Sequence, residues 1–248
     1  MQDRNIDSRS PLPPGQFELK EFPRFGLGKF ARFHGAEVSN STIEIRGDVT
    51  KNAVFDIQVS VLPRVTDQVA DFHCVTTWSV RDLVWSGVRF LDFYREFVVP
   101  LALPCTDAEH VVLRGLDGYA CSLPLVDLLS SDVLLADHLN GARLGAKHGA
   151  PVRLIAPAHY GYKNVKHICA IEFWRDRRAY RFPRPYPRLM DHPRARVAFE
   201  ERGNRVPAWL LRTVYRLLIP STIRRFRRTL ELHSSTVQRD TTPDDFRT

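Results

Sequence analysis

Apolar residues recur along this chain at two periods. In TIEIRGDV (42–49) and AVFDIQVSV (53–61) they alternate with polar ones, the period of a strand with one buried face, and GDVTKN between them supplies turn residues. VADFHCV (69–75) predicts another strand, leading into a loop at VTTWS. HVVLRG (110–115), VRLIAP (152–157) and ICAIEFW (168–174) are apolar runs of strand length, the second stopped by proline. FLDFYREFV (90–98) spaces its apolar residues as a helix does and is followed by Pro100, while LPLVDLLSS (123–131) predicts a short helix with Pro124 near its first turn. Short strands mixed with short helices and long connections predict an α+β fold with a mixed sheet, not a doubly wound one. No internal repeat and no glycine-rich phosphate loop is visible.

Composition divides the chain. Residues 1–19, polar and proline-rich at SPLPPG, and residues 234–248 are expected to be disordered tails. Residues 20–174 are expected to form the catalytic domain and residues 175–233 a basic, partly helical extension. Residues 1–173 hold 18 Lys/Arg against 20 Asp/Glu, whereas residues 174–231 hold 16 Arg against 5 acids, so the formal charge of +8 belongs to the C-terminal third. A nucleic-acid-binding domain would spread its cations through the fold, so nucleic acid is not the expected partner. Residues 207–233 predict two helical segments broken near Pro220. Leu210, Leu211, Val214, Tyr215, Leu217, Leu218 and Ile219 cover one broad face, with Arg212, Thr213 and Arg216 on the other. Ile223, Phe226 and Leu230 follow among arginines. That pattern allows two readings: a helix packed on the catalytic domain with its arginines in water, or apolar surface joined to basic charge for peripheral membrane contact or docking of an electron-transfer partner.

At 248 residues the chain can bury a core without disulfides. Four cysteines at wide spacings predict reduced thiols, neither a zinc site nor a disulfide scaffold. The N-terminal segment has no apolar h-region, and no apolar run is long enough to span a bilayer. A cytoplasmic location, peripheral to the membrane at most, is the expectation.

Candidate chemistry lies in two stretches. In DFHCVTTWS (71–79) the lone Cys74 is open to three readings: a small buried hydrophobe, a nucleophile, or a soft thiolate ligand to a metal whose other ligands a cofactor brings. His73 beside it is a poor general base, because adjacent strand residues point to opposite faces. In residues 134–173, His148, Arg153, Lys163 and Lys166 gather around turn residues, with Gly149 and Gly161 permitting close backbone approach. A solvated basic loop and an anion site both satisfy that pattern.

HCVTTWS, DGYACSLPL (117–125) and NGARLGAKHGAPVRLIAPAHYGYKNVKHI (140–168), in this order and spacing, resemble the molybdopterin-binding domain of the sulfite oxidase family over about residues 20–174. The resemblance implies a molybdenum-pyranopterin cofactor, with no haem domain, and oxygen-atom transfer to or from a small sulfite-like or sulfoxide-like substrate. It implies that Cys74 ligates molybdenum, that His148 and Arg153 contact the pterin and its phosphate, and that Asn164, Val165 and Lys166 form a second cofactor-binding segment. Tyr119 falls where the family carries a tyrosine beside the metal. Trp78, His73 and Tyr160 are weaker pocket candidates. Sulfite oxidases follow the metal-binding cysteine with arginines that hold the anionic substrate, whereas here Val75, Thr76, Thr77, Trp78 and Ser79 follow, with no cation before Arg81. That form is closer to the bacterial branch near the methionine-sulfoxide reductase catalytic subunit. The implied protein is an enzyme working with an electron-transfer partner; a redox-inert cofactor carrier would keep the same blocks but have no use for Tyr119.

Overall fold

The computed structural model describes residues 11–23, 30, 42–57, 61–178, 180–184 and 187–217. Its strands are β1 (Phe17–Glu18), β2 (Thr42–Gly47), β3 (Ala53–Asp56), β4 (Arg64–His73), β5 (Trp78–Arg89) and β6 (His110–Gly115). They continue as β7 (Ala120–Pro124), β8 (Leu134–Leu139), β9 (Ala142–Arg143), β10 (Arg153–Ile155) and β11 (Ile168–Trp174). Short helices α1 (Phe90–Phe93), α2 (Val99–Ala102) and α3 (Leu125–Leu128) lie between strands, and α4 covers residues 208–217.

Two sheets form. One is ordered β3-β2-β11-β6-β7, with β11 parallel to β2 and antiparallel to β6. Flanked on both edges and mostly buried, β11 is apolar except for Glu172, which Arg46 and Arg114 hold, whereas β2 alternates buried Ile43 and Ile45 with outward residues. The other sheet is built on the twelve-residue β5, which pairs with β4, β1 and β8. Ile45, Phe55, Leu113, Ile171 and Phe173 from the first sheet meet Val88, Leu135 and Leu154 from the second, with Phe90 and Phe93, in the main core. The α+β class with mixed pairing is as the pattern predicts.

Several local expectations change. β5 and β8 are missing from the pattern reading, because β8 is apolar at Leu134, Leu135 and Ala136 alike and β5 carries a serine, Ser79, at a buried position. The helix at 90–98 runs on past Pro100: a π-turn over Tyr94–Val98 joins α1 to α2, where proline sits in a first turn that does not need its N–H. The path ends at Leu103, in the left-handed region at φ 49. Within the expected N-terminal tail, Phe17 and Glu18 pair in parallel with Trp78 and Ser79. The described part of the extension packs on the catalytic domain, the first of the two readings of its pattern. Ala195, Val197, Leu211 and Tyr215 pack on Val75 and Tyr160 as a separate apolar cluster. Of the predicted apolar face of α4, Leu211 and Tyr215 are buried while Leu210, Val214 and Leu217 are exposed. Leu218, Ile219, the second segment with Ile223, Phe226 and Leu230, and the tail 234–248 lie outside the described residues.

Candidate active site

β4 and β5 are joined by the tight turn Cys74–Thr77. The Cys74 amide donates to the Trp78 carbonyl at 2.8 Å, and the Thr77 amide to the Cys74 carbonyl at 3.1 Å. Thr77 pays for this turn with a backbone in the left-handed region at φ 78, strain of a kind that gathers at functional sites. Cys74 is buried, with its Sγ 3.1 Å from Thr76 Oγ1. Burial pushes the thiol pKa up, against the hydrogen bonds of Thr76 and the charges of Arg202 and Lys166. A thiol held protonated by burial is a poor nucleophile, but a metal ion takes its proton outright. His73 faces away and pairs with Ser79, Nδ1 to Oγ 2.8 Å. Among the described residues the nucleophile reading finds no histidine base paired with Cys74.

The turn forms one wall of a cavity of about 130 Å³, which Tyr119, Asn164, Lys147, Lys166 and Arg153 also line. Arg153 is the decisive member. It begins β10, is fully buried, and donates to the His148 carbonyl at 2.8 Å. Its guanidinium carbon lies 5.7, 5.4 and 5.2 Å from the ring centres of Phe22, Phe72 and Trp85. Among the described residues no carboxylate pairs with it. Desolvation pulls its pKa down to about 9, so it stays charged at neutral pH. A buried cation without a counterion is costly, and an incoming anion would relieve it.

The other predicted residues divide. His148 closes the 3₁₀ turn Ala146–His148 and stacks on Phe22 with ring centres 5.1 Å apart, beside the cavity wall but not part of it. Burial, then the charges of Lys166, Arg153 and Lys147, lower its pKa to about 4. Gly149 follows at φ +108, where a Cβ would sit 3.1 Å from the Cβ atoms of both Arg153 and Lys166. Lys166 lines the cavity and donates to the Lys147 carbonyl at 3.1 Å. Lys163, grouped above with the anion site, is instead fully buried in an ion pair with Asp191 at 3.1 Å. Asn164 spends its amide on the backbone, its Oδ1 accepting from Ala156 N at 2.6 Å, so it holds the loop's shape. Val165 lies in the main core, outside the cavity wall, with Leu154 N donating to its carbonyl. Tyr119 precedes β7, and its hydroxyl donates to the Tyr162 carbonyl at 2.7 Å. Trp78 lines the cavity; Tyr160 does not, and packs under Arg202.

Pattern reading misses Phe22, Phe72, Phe182 and Met190 in the cavity wall, and Arg202 behind the cysteine turn. Phe and Met at such positions look like core, and Arg202 is one of sixteen arginines in its region.

The residues present fit a soft metal centre with an anionic end: one thiol, and an uncompensated guanidinium with two lysines on the same cavity. Among the described residues no group of three or more His, Cys, Asp or Glu could hold a metal unaided. The model of the oxidoreductase molybdopterin binding domain matches residues 32–181. The chain belongs to that family. It is a molybdopterin-binding oxidoreductase, as the three sequence blocks imply. An uncharacterized oxidoreductase, YuiH, of Bacillus subtilis is 30% identical over 174 residues, which cover 70% of this chain and 84% of that one. A putative protein-methionine-sulfoxide reductase subunit, YedZ1, of Azospira oryzae is 29% identical over 65% of this chain and 60% of its own length. The mitochondrial sulfite oxidase of Drosophila melanogaster is 34% identical over 38% of this chain, and that match spans 17% of its length.

Proposed function

We propose that this oxidoreductase transfers an oxygen atom to or from sulfur in a small neutral substrate, a sulfoxide and its thioether being the fitting pair. The observation that carries the reading is the single cavity uniting the Cys74 thiol, the uncompensated Arg153 and the Tyr119 phenol. Cys74 would hold the metal through its thiolate, and Arg153 with Lys147 and Lys166 would hold the anionic end of the pterin. When bound, the molybdenum centre supplies two-electron exchange of an oxygen atom. Reduction of a sulfoxide consumes two electrons and two protons and yields the thioether and water.

The chain's own residues shape the rest. Phe30, Phe182 and Met190 join Tyr119 on the cavity wall and exclude water from it. Tyr119 Oη donates its one proton to the Tyr162 carbonyl in this structure, and a substrate oxygen would take that proton by turning the hydroxyl away from the carbonyl. With Arg153, Lys147 and Lys166 assigned to the anionic end of the pterin, charge favours a neutral substrate. The first cation after Cys74 is Arg81, already paired with Glu18 at 3.4 Å, and the half-buried Asp117 carboxylate sits on the cavity wall beside Tyr119. Electrons must come from a partner protein, and the relatives named as a reductase subunit and a sulfite oxidase support sulfur chemistry of this kind.

The test is protein made in a cofactor-competent host, analysed for molybdenum and pterin, then assayed with a reduced viologen dye and aryl or alkyl sulfoxides, and separately with sulfite and ferricyanide. Sulfoxide turnover with little sulfite oxidation is expected. The reverse preference overturns the neutral-substrate reading, and a loaded protein inert toward both overturns the enzyme reading in favour of a carrier.

A further inference from the structure

Arg202 lies beyond the segment that the family model matches and is fully buried. Its Nη1 donates to the Val75 carbonyl at 2.7 Å and its Nη2 to the Pro14 carbonyl at 2.9 Å. The planar fork of a guanidinium can hold two such acceptors in fixed directions, which an ammonium cannot. One side chain thereby ties the C-terminal region to the N-terminal segment and to the residue after Cys74. The same turn is gripped a second time: Gln16 Nε2 donates to the Cys74 carbonyl at 3.0 Å, beside the β1–β5 pairing. Cover for packing alone is better supplied by an apolar side chain, since burying a guanidinium costs its hydration.

The charge is only partly balanced. Glu200 Oε1 lies 3.5 Å from Arg202 Nε and 3.3 Å from Arg212 Nη1, so one carboxylate faces two guanidinium groups. Through the Val75 carbonyl that it holds, the Arg202 charge sits one peptide away from Cys74.

We propose that Arg202 is a positioning residue for the metal-ligating cysteine: it fixes the Cys74–Thr77 turn and places a buried positive charge behind the thiolate. This rests on the reading of Cys74 as the ligand. A cation in a low-dielectric site stabilises the more electron-rich state of a nearby centre, so Arg202 raises the midpoint potential of the bound metal. Removing Arg202 and removing its counterion therefore act in opposite directions.

The experiment compares holoenzymes of the wild type, Arg202→Ala, Arg202→Lys, Glu200→Gln and Cys74→Ala. Each is brought to known molybdenum content and followed by potentiometric titration, the sulfur-to-metal absorption band and the metal's electron paramagnetic resonance signal. Arg202→Ala is expected to lower the midpoint and alter both spectra, with kcat falling about 10- to 100-fold at little change in KM, as loosened positioning does. Arg202→Lys keeps the charge and should restore the midpoint but not the full kcat; Glu200→Gln should raise the midpoint. If Arg202→Ala lowers only the melting temperature, or if it does not fold and Glu200→Gln leaves midpoint and spectra at wild-type values, the proposal is overturned. Should Cys74→Ala keep the wild-type spectra, the ligand reading itself fails, which separates the two.

Discussion

Arg153 shows how much one side chain can decide. Its guanidinium is buried against three aromatic rings with no described carboxylate partner, so its charge has little use in the protein alone. Arg153→Met should therefore fold yet hold its cofactor poorly. The loss of a charge-assisted hydrogen bond, about 1.5–3 kcal/mol, lowers retention by one to two orders of magnitude. Pterin and molybdenum content after gel filtration measures this; full occupancy would remove Arg153 from the anion site. His148 beside it supplies a pH signature. Its folded pKa of about 4 lies below the ordinary value of 6.5, so the unfolded chain binds the proton more readily. His148 thus contributes stability that is full above about pH 6.5 and is lost as pH falls toward 4. Urea midpoints at pH 7 and pH 5 should converge in His148→Gln relative to wild type, and an unchanged pH dependence would contradict the burial of this ring.

At the scale of elements, the loop between β9 and β10 sets the cation positions through backbone conformation. Gly149 is in the left-handed region, and a methyl there would press on the Cβ atoms of Arg153 and Lys166 together. Gly149→Ala is expected to cost stability of about 1–3 kcal/mol and, because it moves both cations, to reduce cofactor retention beyond that. Chemical denaturation and metal analysis on the same preparations check it. A variant with wild-type metal content would show that the loop adapts. The α4 helix carries a different lesson. Its pattern predicts one broad apolar face, but among the described residues of that face only Leu211 and Tyr215 are buried, while Trp209, Leu210 and Leu217 stand in solvent with Arg212 and Arg216 on the same helix. Periodicity finds an apolar face but cannot say how wide its contact is.

At the scale of the molecule, the C-terminal region completes the domain. Asp191 pairs with Lys163 at 3.1 Å and with Arg177 at 2.8 Å, and Arg194 forks onto Asp127 of α3. Asp191→Asn would leave the fully buried Lys163 ammonium with a carbonyl but no carboxylate, at a cost of about 3–5 kcal/mol. Urea unfolding should show that loss, with partial recovery when Lys163→Met is added; a loss under about 1 kcal/mol would mean water screens the pair. The sequence alone determined the α+β class, about half of the strands and the family, because local periodicity and short ordered blocks carry those directly, and it singled out Cys74, Arg153 and Tyr119, which folding places on one cavity wall. Tertiary structure decided what each charge is for. Lys163 and Arg153 stand ten residues apart in the same basic stretch, yet one is neutralised by Asp191 and the other keeps its charge for the cavity. No pattern along the chain distinguishes them, since the cost of a buried charge is set by the groups that folding brings beside it.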